Sequence, residues 1–256
     1  MQTEILYQPA YALCRVMLSA GESMRAESGA MVSMSGGVQI ETKATGGIMK
    51  SLGRSLLGGE SFFQNTFRAE SGGEVTLSPE LPGDIMSFDL AGHEIIVQSG
   101  SYLASHTDIT VETKWGGAKT FFGGEGLFML KCSGTGTLII SSYGAIHRVS
   151  IPAGQTYVVD TGHIVAFPSN VTYNVRKAAG WTSTIFGGEG LVCEFQGPGD
   201  IFLQTRSPQA FLNWLIPETC SLCWLLARGY LDLFAAEGEV PHWVLNRGRV
   251  GDDGAV

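Results

Sequence analysis

Charge is what this chain has least of. Only 16% of its residues are charged, and acidic side chains outnumber basic ones 24 to 16, for a net charge of -8. A phosphate backbone rewards basic surface, so this balance speaks against nucleic acid as a partner. Proline is sparse. The cysteines (Cys14, Cys132, Cys193, Cys220 and Cys223) are odd in number and suggest no disulfide framework, which points to a reducing compartment. The longest apolar stretch, "CSLCWLLA", falls well short of the roughly 20 residues that a spanning helix needs. The opening "MQTEILYQPAYALCRVML" lacks a basic start, carries Glu4 early and breaks at Gln8 and Pro9. It therefore reads as neither signal nor transit peptide, and a soluble, cytoplasmic protein is expected.

Glycine is what the chain has in excess, 35 residues of 256, about double the usual share. Its placement is ordered. Three segments align: "AGESMRAESGAMVSMSGGVQIETKA" from Ala20, "AGHEIIVQSGSYLASHTDITVETKW" from Ala91 and "AGQTYVVDTGHIVAFPSNVTYNVRKA" from Ala153. Each holds an Ala-Gly pair and a second glycine eight residues on, at Gly21 and Gly29, Gly92 and Gly100, Gly154 and Gly162. A Gly-Gly-Glu follows in every copy, ending at Glu60, Glu125 and Glu189, and then an apolar strand, a glycine-containing turn and another strand. Turns with positive φ favour glycine, and the segments between alternate apolar with polar side chains, as in "DITVETK".

The expectation is an all-β protein of three repeated β-sandwich modules with pseudo-threefold symmetry, six or seven short strands per copy and almost no helix before residue 207. The modules are bounded at 1–90, 91–152 and 153–207, with an insertion in the first near 46–57. A module of about 60 residues buries too little surface to be comfortable alone, so the copies should share edges or a core. Residues 208–256 form a helical and partly disordered tail: Ser207 caps a helix that begins at Pro208, presents Phe211, Leu212, Trp214 and Leu215, and ends at Pro217.

The three-copy layout and the segments "QSGSYLASH", "FFGGEGLF" and "IFLQTRSPQAF" resemble the altered inheritance of mitochondria protein 24 family, over residues 1 to about 214. The resemblance implies a sandwich like the subunit of the tryptophan RNA-binding attenuation protein, a relative of the double-stranded β-helix. It supplies no catalytic residues to carry over. RNA binding would follow from fold analogy alone, and the acidic balance opposes it.

Several residue patterns bear on chemistry. "FFGGEGLF" has neither the lysine of a Walker loop nor the spacing of a dinucleotide turn, and it reads as a strand-entry turn. The glutamates Glu60, Glu125 and Glu189 could converge on a cation or lie apart on a rim, where anions avoid repelling one another. His106 and Asp108, in "SHTDI", have H-x-D spacing, and with His147 or His163 they would make a two-histidine, one-carboxylate metal set; Asp108 equally suits a turn. Cys220 and Cys223 have no second ligand pair for zinc and read as buried apolar groups. "IMKSLGRSLL" is a short basic amphipathic stretch, the candidate for peripheral membrane contact. Together these favour a non-enzymatic assembly or interaction protein without a cofactor, acting as a homo-oligomer or with a protein partner. The alternative is a metal-dependent small-molecule enzyme or ligand-binding protein using His106 and Asp108.

Overall fold

The computed structural model describes residues 1–41, 64–115, 128–177 and 191–215. The chain divides into two compact units, Met1–Ser207 and Pro208–Val256. Among the described residues the first unit is all-β: antiparallel strands with two single-turn 3-10 segments and no α-helix.

After β1 (Gln2–Leu6) the strands fall into three sets of six segments. The first set is β2 (Leu13–Leu18), β3 (Ser23–Glu27), β4 (Met31–Met34), β5 (Val38–Glu41), β6 (Gln64–Ala69) and β7 (Gly73–Leu77). In the second, the two halves of β8 (Ile85–Gln98) serve as first and second segments. β9 (Tyr102–His106) and β10 (Ile109–Trp115) follow, and the halves of β11 (Phe128–Ser141) serve as fifth and sixth. The third set is β12 (Ile146–Ile151), β13 (Thr156–Asp160), β14 (Ile164–Pro168), β15 (Thr172–Lys177), β16 (Leu191–Gln196) and β17 (Gly199–Gln204). In every set the first segment pairs with the sixth and the sixth with the third, while the second pairs with the fifth and the fifth with the fourth.

Neighbouring sets are joined by a further pairing, second segment to the third segment of the next set. β3 lies on β9 with Met24 opposite His106, Arg25 opposite Ser105 and Ala26 opposite Ala104. β8 lies on β14 with Ile95 opposite Pro168, Ile96 opposite Phe167 and Val97 opposite Ala166. In the alignment of the three segments from Ala20, Ala91 and Ala153, these residues correspond one for one, so the two joints have the same register.

Alternation decides which side chains enter the sandwich. In β2, Cys14, Val16 and Leu18 are buried while Arg15 and Met17 face out. They enter a first core with Phe67, Val75 and Leu77, and Leu103, Ala104 and Ile139 arrive from the second set to close it. The second core holds Val97, Tyr102 and Leu138 and is closed by Val165, Ala166 and Phe202 from the third set. The third, around Phe195 and Ile201, takes Ile96 and Met129 from the second set. β8 and β11 thus each contribute to all three cores, and each large apolar side chain so buried contributes about 1.5–3 kcal/mol.

Two expectations are revised. Ala91 and Gly92 do not end a strand, and the stretch 128–141 is one strand rather than strand, turn and strand. The register shifts between Ser133 and Thr135, where Gly92 and His93 stand opposite Gly134; this β-bulge lets both strands run on. The module boundary drawn at 90 and 91 accordingly falls inside β8. The positive-φ expectation holds at Gly21, Gly92 and Gly154 (φ 82, 84 and 77°) and at Gly29 (95°), and fails at Gly100 and Gly162, which lie in the two 3-10 segments. In the second unit, residues 208–215 form the expected helix from Pro208, with Gln209 Nε2 donating to Asn213 Oδ1 at 2.8 Å. Residues beyond 215, with Pro217 where this helix was expected to end, lie outside the described residues.

The connectors between sets interlock. Gly144 N donates to the Pro82 carbonyl at 2.9 Å, Asp84 N to the Gly144 carbonyl at 3.0 Å and Ser142 N to the Asp84 carbonyl at 3.0 Å. A β-carbon on Gly83 would stand 1.5 Å from the Ser142 carbonyl oxygen, so only glycine admits this approach. Gly83→Ala is expected to cost about 3 kcal/mol, the upper end of overpacking. Gly21→Ala, whose added carbon meets open space, should cost about 1 kcal/mol from its positive φ. Urea denaturation of the two variants checks this ordering.

Candidate functional site

The Gly-Gly-Glu loops, with Glu60, Glu125 and Glu189, lie outside the described residues, as do the segment 46–57 and Cys220 and Cys223. The described strands fix where in the chain the loops belong. Each connects the fourth segment of a set to the fifth, and the flanking residues pair, Trp115 with Phe128 and Lys177 with Leu191.

His106 ends β9, and the Asp108 backbone N–H donates to its Nδ1 at 3.2 Å. The Asp108 carboxylate is 3.6 Å from the same nitrogen and mostly exposed. The imidazole packs over Gly136 of β11, where a β-carbon would come within 2.7 Å of the His106 Cβ. A turn and a close packing contact thus account for the H-x-D spacing.

His147 and His163 meet elsewhere. They line a shallow, open cleft in the third set with Tyr157, Asp160, Leu203 and Gln204. There His163 Nδ1 makes a 2.7 Å hydrogen bond with the Gln204 carbonyl, which accepts, and Gln204 Nε2 donates to the Gly162 carbonyl at 2.8 Å. Neither His106 nor Asp108 lines this cleft, and among the described residues no three His, Cys, Asp or Glu side chains are grouped to hold a metal ion.

What sequence reasoning passed over are two sheet edges. Among the described strands, β4 ends one sheet and β13 another. β4 exposes Met31, Val32 and Met34 (38, 54 and 40%), and β13 exposes Tyr157 and Val158 (42 and 47%). Two further edges are polar, β12 showing His147, Arg148 and Ser150 and β15 showing Thr172, Asn174 and Arg176, while edge strand β5 shows Gln39 beside Ile40 (39%). Sheet edges are ordinarily protected by charge, which β4 lacks and β13 carries only at its end, on Asp160.

The model of the family described as mitochondrial biogenesis AIM24 matches residues 3–206, the whole span of this β architecture. The chain belongs to the AIM24 family. An uncharacterised protein of Streptococcus pyogenes serotype M6 is 30% identical over 213 residues to this AIM24-family chain, covering 80% of it and 86% of its own length. The X-ray structure of a Streptococcus pyogenes protein superposes with a TM-score of 0.73 at 28% identity, covering 85% of this chain and 99% of that one. No described helix is long and apolar enough to cross a membrane.

The family's β body holds three fully buried thiols here, Cys14, Cys132 and Cys193. Burial pushes each from 9.0 up to about 12. A raised pKa means the fold keeps the proton that the unfolded chain gives up, so stability present below pH 9 is lost as pH climbs toward 12. The urea midpoint is expected to fall across that window. At neutral pH an aromatic disulfide reagent should leave these three thiols unmodified until the chain unfolds.

Proposed function

We propose that this AIM24-family chain is a non-enzymatic assembly or interaction protein that works through its open sheet edges. The observation that carries the reading is the pair of sheet edges β4 and β13, each with one neighbour among the described strands and each exposing large apolar side chains. Backbone groups at an edge offer a ladder, and exposed Val32 and Val158 offer apolar area to a partner strand. The histidines and carboxylate with enzymatic spacing support the same reading from the other side. His106 is occupied by a turn and by Gly136, and His163 by a backbone carbonyl. The three sets share one pairing scheme, which we read as three copies of one sandwich module arranged for joining edge to edge.

Peripheral attachment to a membrane surface fits such a platform, with residues 46–57 as the contact segment. Two measurements test the reading. Multi-angle light scattering of the full chain is expected to show species larger than the monomer, growing with concentration through the micromolar range; a strictly monomeric chain overturns self-assembly. Flotation with vesicles containing anionic lipid is expected to carry the full chain upward and to lose it on deletion of residues 46–57; flotation unchanged by the deletion removes that segment from the account.

A further inference from the structure

The two open edges are the two halves of a joint that the chain already makes twice. A joint needs the second segment of one set and the third segment of the next. β3 and β9 supply the first joint, and β8 and β14 the second. What is left over is β13, the second segment of the last set, and β4, the third segment of the first. We infer that β13 of one copy pairs antiparallel with β4 of a second copy, placing Tyr157 opposite Ser35, Val158 opposite Met34 and Val159 opposite Ser33. This rests on the assembly reading above and names its partner as the chain itself.

The register is a transfer, residue by residue, from the joints within the chain. Tyr157, Val158 and Val159 occupy the positions of Met24, Arg25 and Ala26 and of Ile95, Ile96 and Val97; Ser33, Met34 and Ser35 occupy those of Ala104, Ser105 and His106 and of Ala166, Phe167 and Pro168.

Exposure argues the same way. Ile96 is 3% exposed at its joint, and its counterpart Val158 is 47% exposed. Leu103 and Val165 close the first and second cores at 0% exposure, and their counterpart Val32 stands 54% exposed. The third core has no following set to close it, and Val32 of a second copy is the side chain that would do so. Covering these groups removes apolar surface from water and completes the ladder on both edges. The two edges differ, so the contact is heterologous: it propagates head to tail and closes into a ring when the rotation permits.

Cysteine pairing in the full chain tests the register. In a Cys220→Ser, Cys223→Ser background, Val158→Cys combined with Met34→Cys is expected to give, on mild oxidation, a ladder of chain multiples that collapses under reductant. Either cysteine alone should give none. No ladder from the pair, or a disulfide confined within one chain, overturns the joint. Val158→Lys supplies the second measurement. It is expected to bring the light-scattering mass down to the monomer while the β circular dichroism stays unchanged, since the side chain is exposed in the free chain. A Val158→Lys chain that keeps the wild-type assembled mass overturns this joint and leaves assembly through another surface standing. A monomeric wild type removes both.

Discussion

Each core of this body is completed by side chains from outside its own set of strands, and the rest of the architecture depends on that borrowing. The first core is open until Leu103, Ala104 and Ile139 arrive from the second set, and the second until Val165, Ala166 and Phe202 arrive from the third. What delivers those side chains is a backbone ladder three residues long, repeated with one register. The hydrogen bonds position the joint, and the apolar side chains behind them supply most of the stabilisation. Because each joint runs from the second segment of one set to the third segment of the next, the chain is left with one core that borrows from no successor and one edge that no predecessor uses.

The side chains at the joints show how little of this depends on particular residues. Arg25 spans the first joint, donating from its guanidinium to the Thr107 carbonyl and, at 2.9 Å, to the Ile109 carbonyl. Ile96 holds the same place at the second joint and is buried against apolar neighbours instead. Register comes from the backbone, and each joint fills its interior in its own way.

That division explains what could be read in advance. The alternation of "DITVETK" marks β10, and the Ala-Gly pairs mark positions that need positive φ, because both signals are local. The family was legible from segments spread through the body. The fate of "YVVD" against "IIVQ" was not legible: Tyr157 and Val158 are exposed while Ile95 and Ile96 are buried, although the residue types match. Exposure there is decided by the presence of a neighbouring strand, which lies far off in sequence. His106 misleads for a related reason. Its spacing to Asp108 is visible, but Gly136, which it packs on, sits on another strand. The continuity of β8 was hidden because a bulge and a turn both place glycine at positive φ.

β8 and β11 give the first unit a thermodynamic character of its own. Each is a 14-residue strand, about 46 Å long at the usual rise, and the two pair along nearly their whole length. Ile85, Leu90 and Ile96 of one, with Ile139, Leu138 and Met129 of the other, reach the first, second and third cores in turn. Opening that ladder opens every core at once, and melting any one core withdraws support from the ladder. A string of independent beads would lose its domains one by one; here the two strands common to all three cores tie them into one cooperative unit, and the slowest amide exchange is expected along β8 and β11.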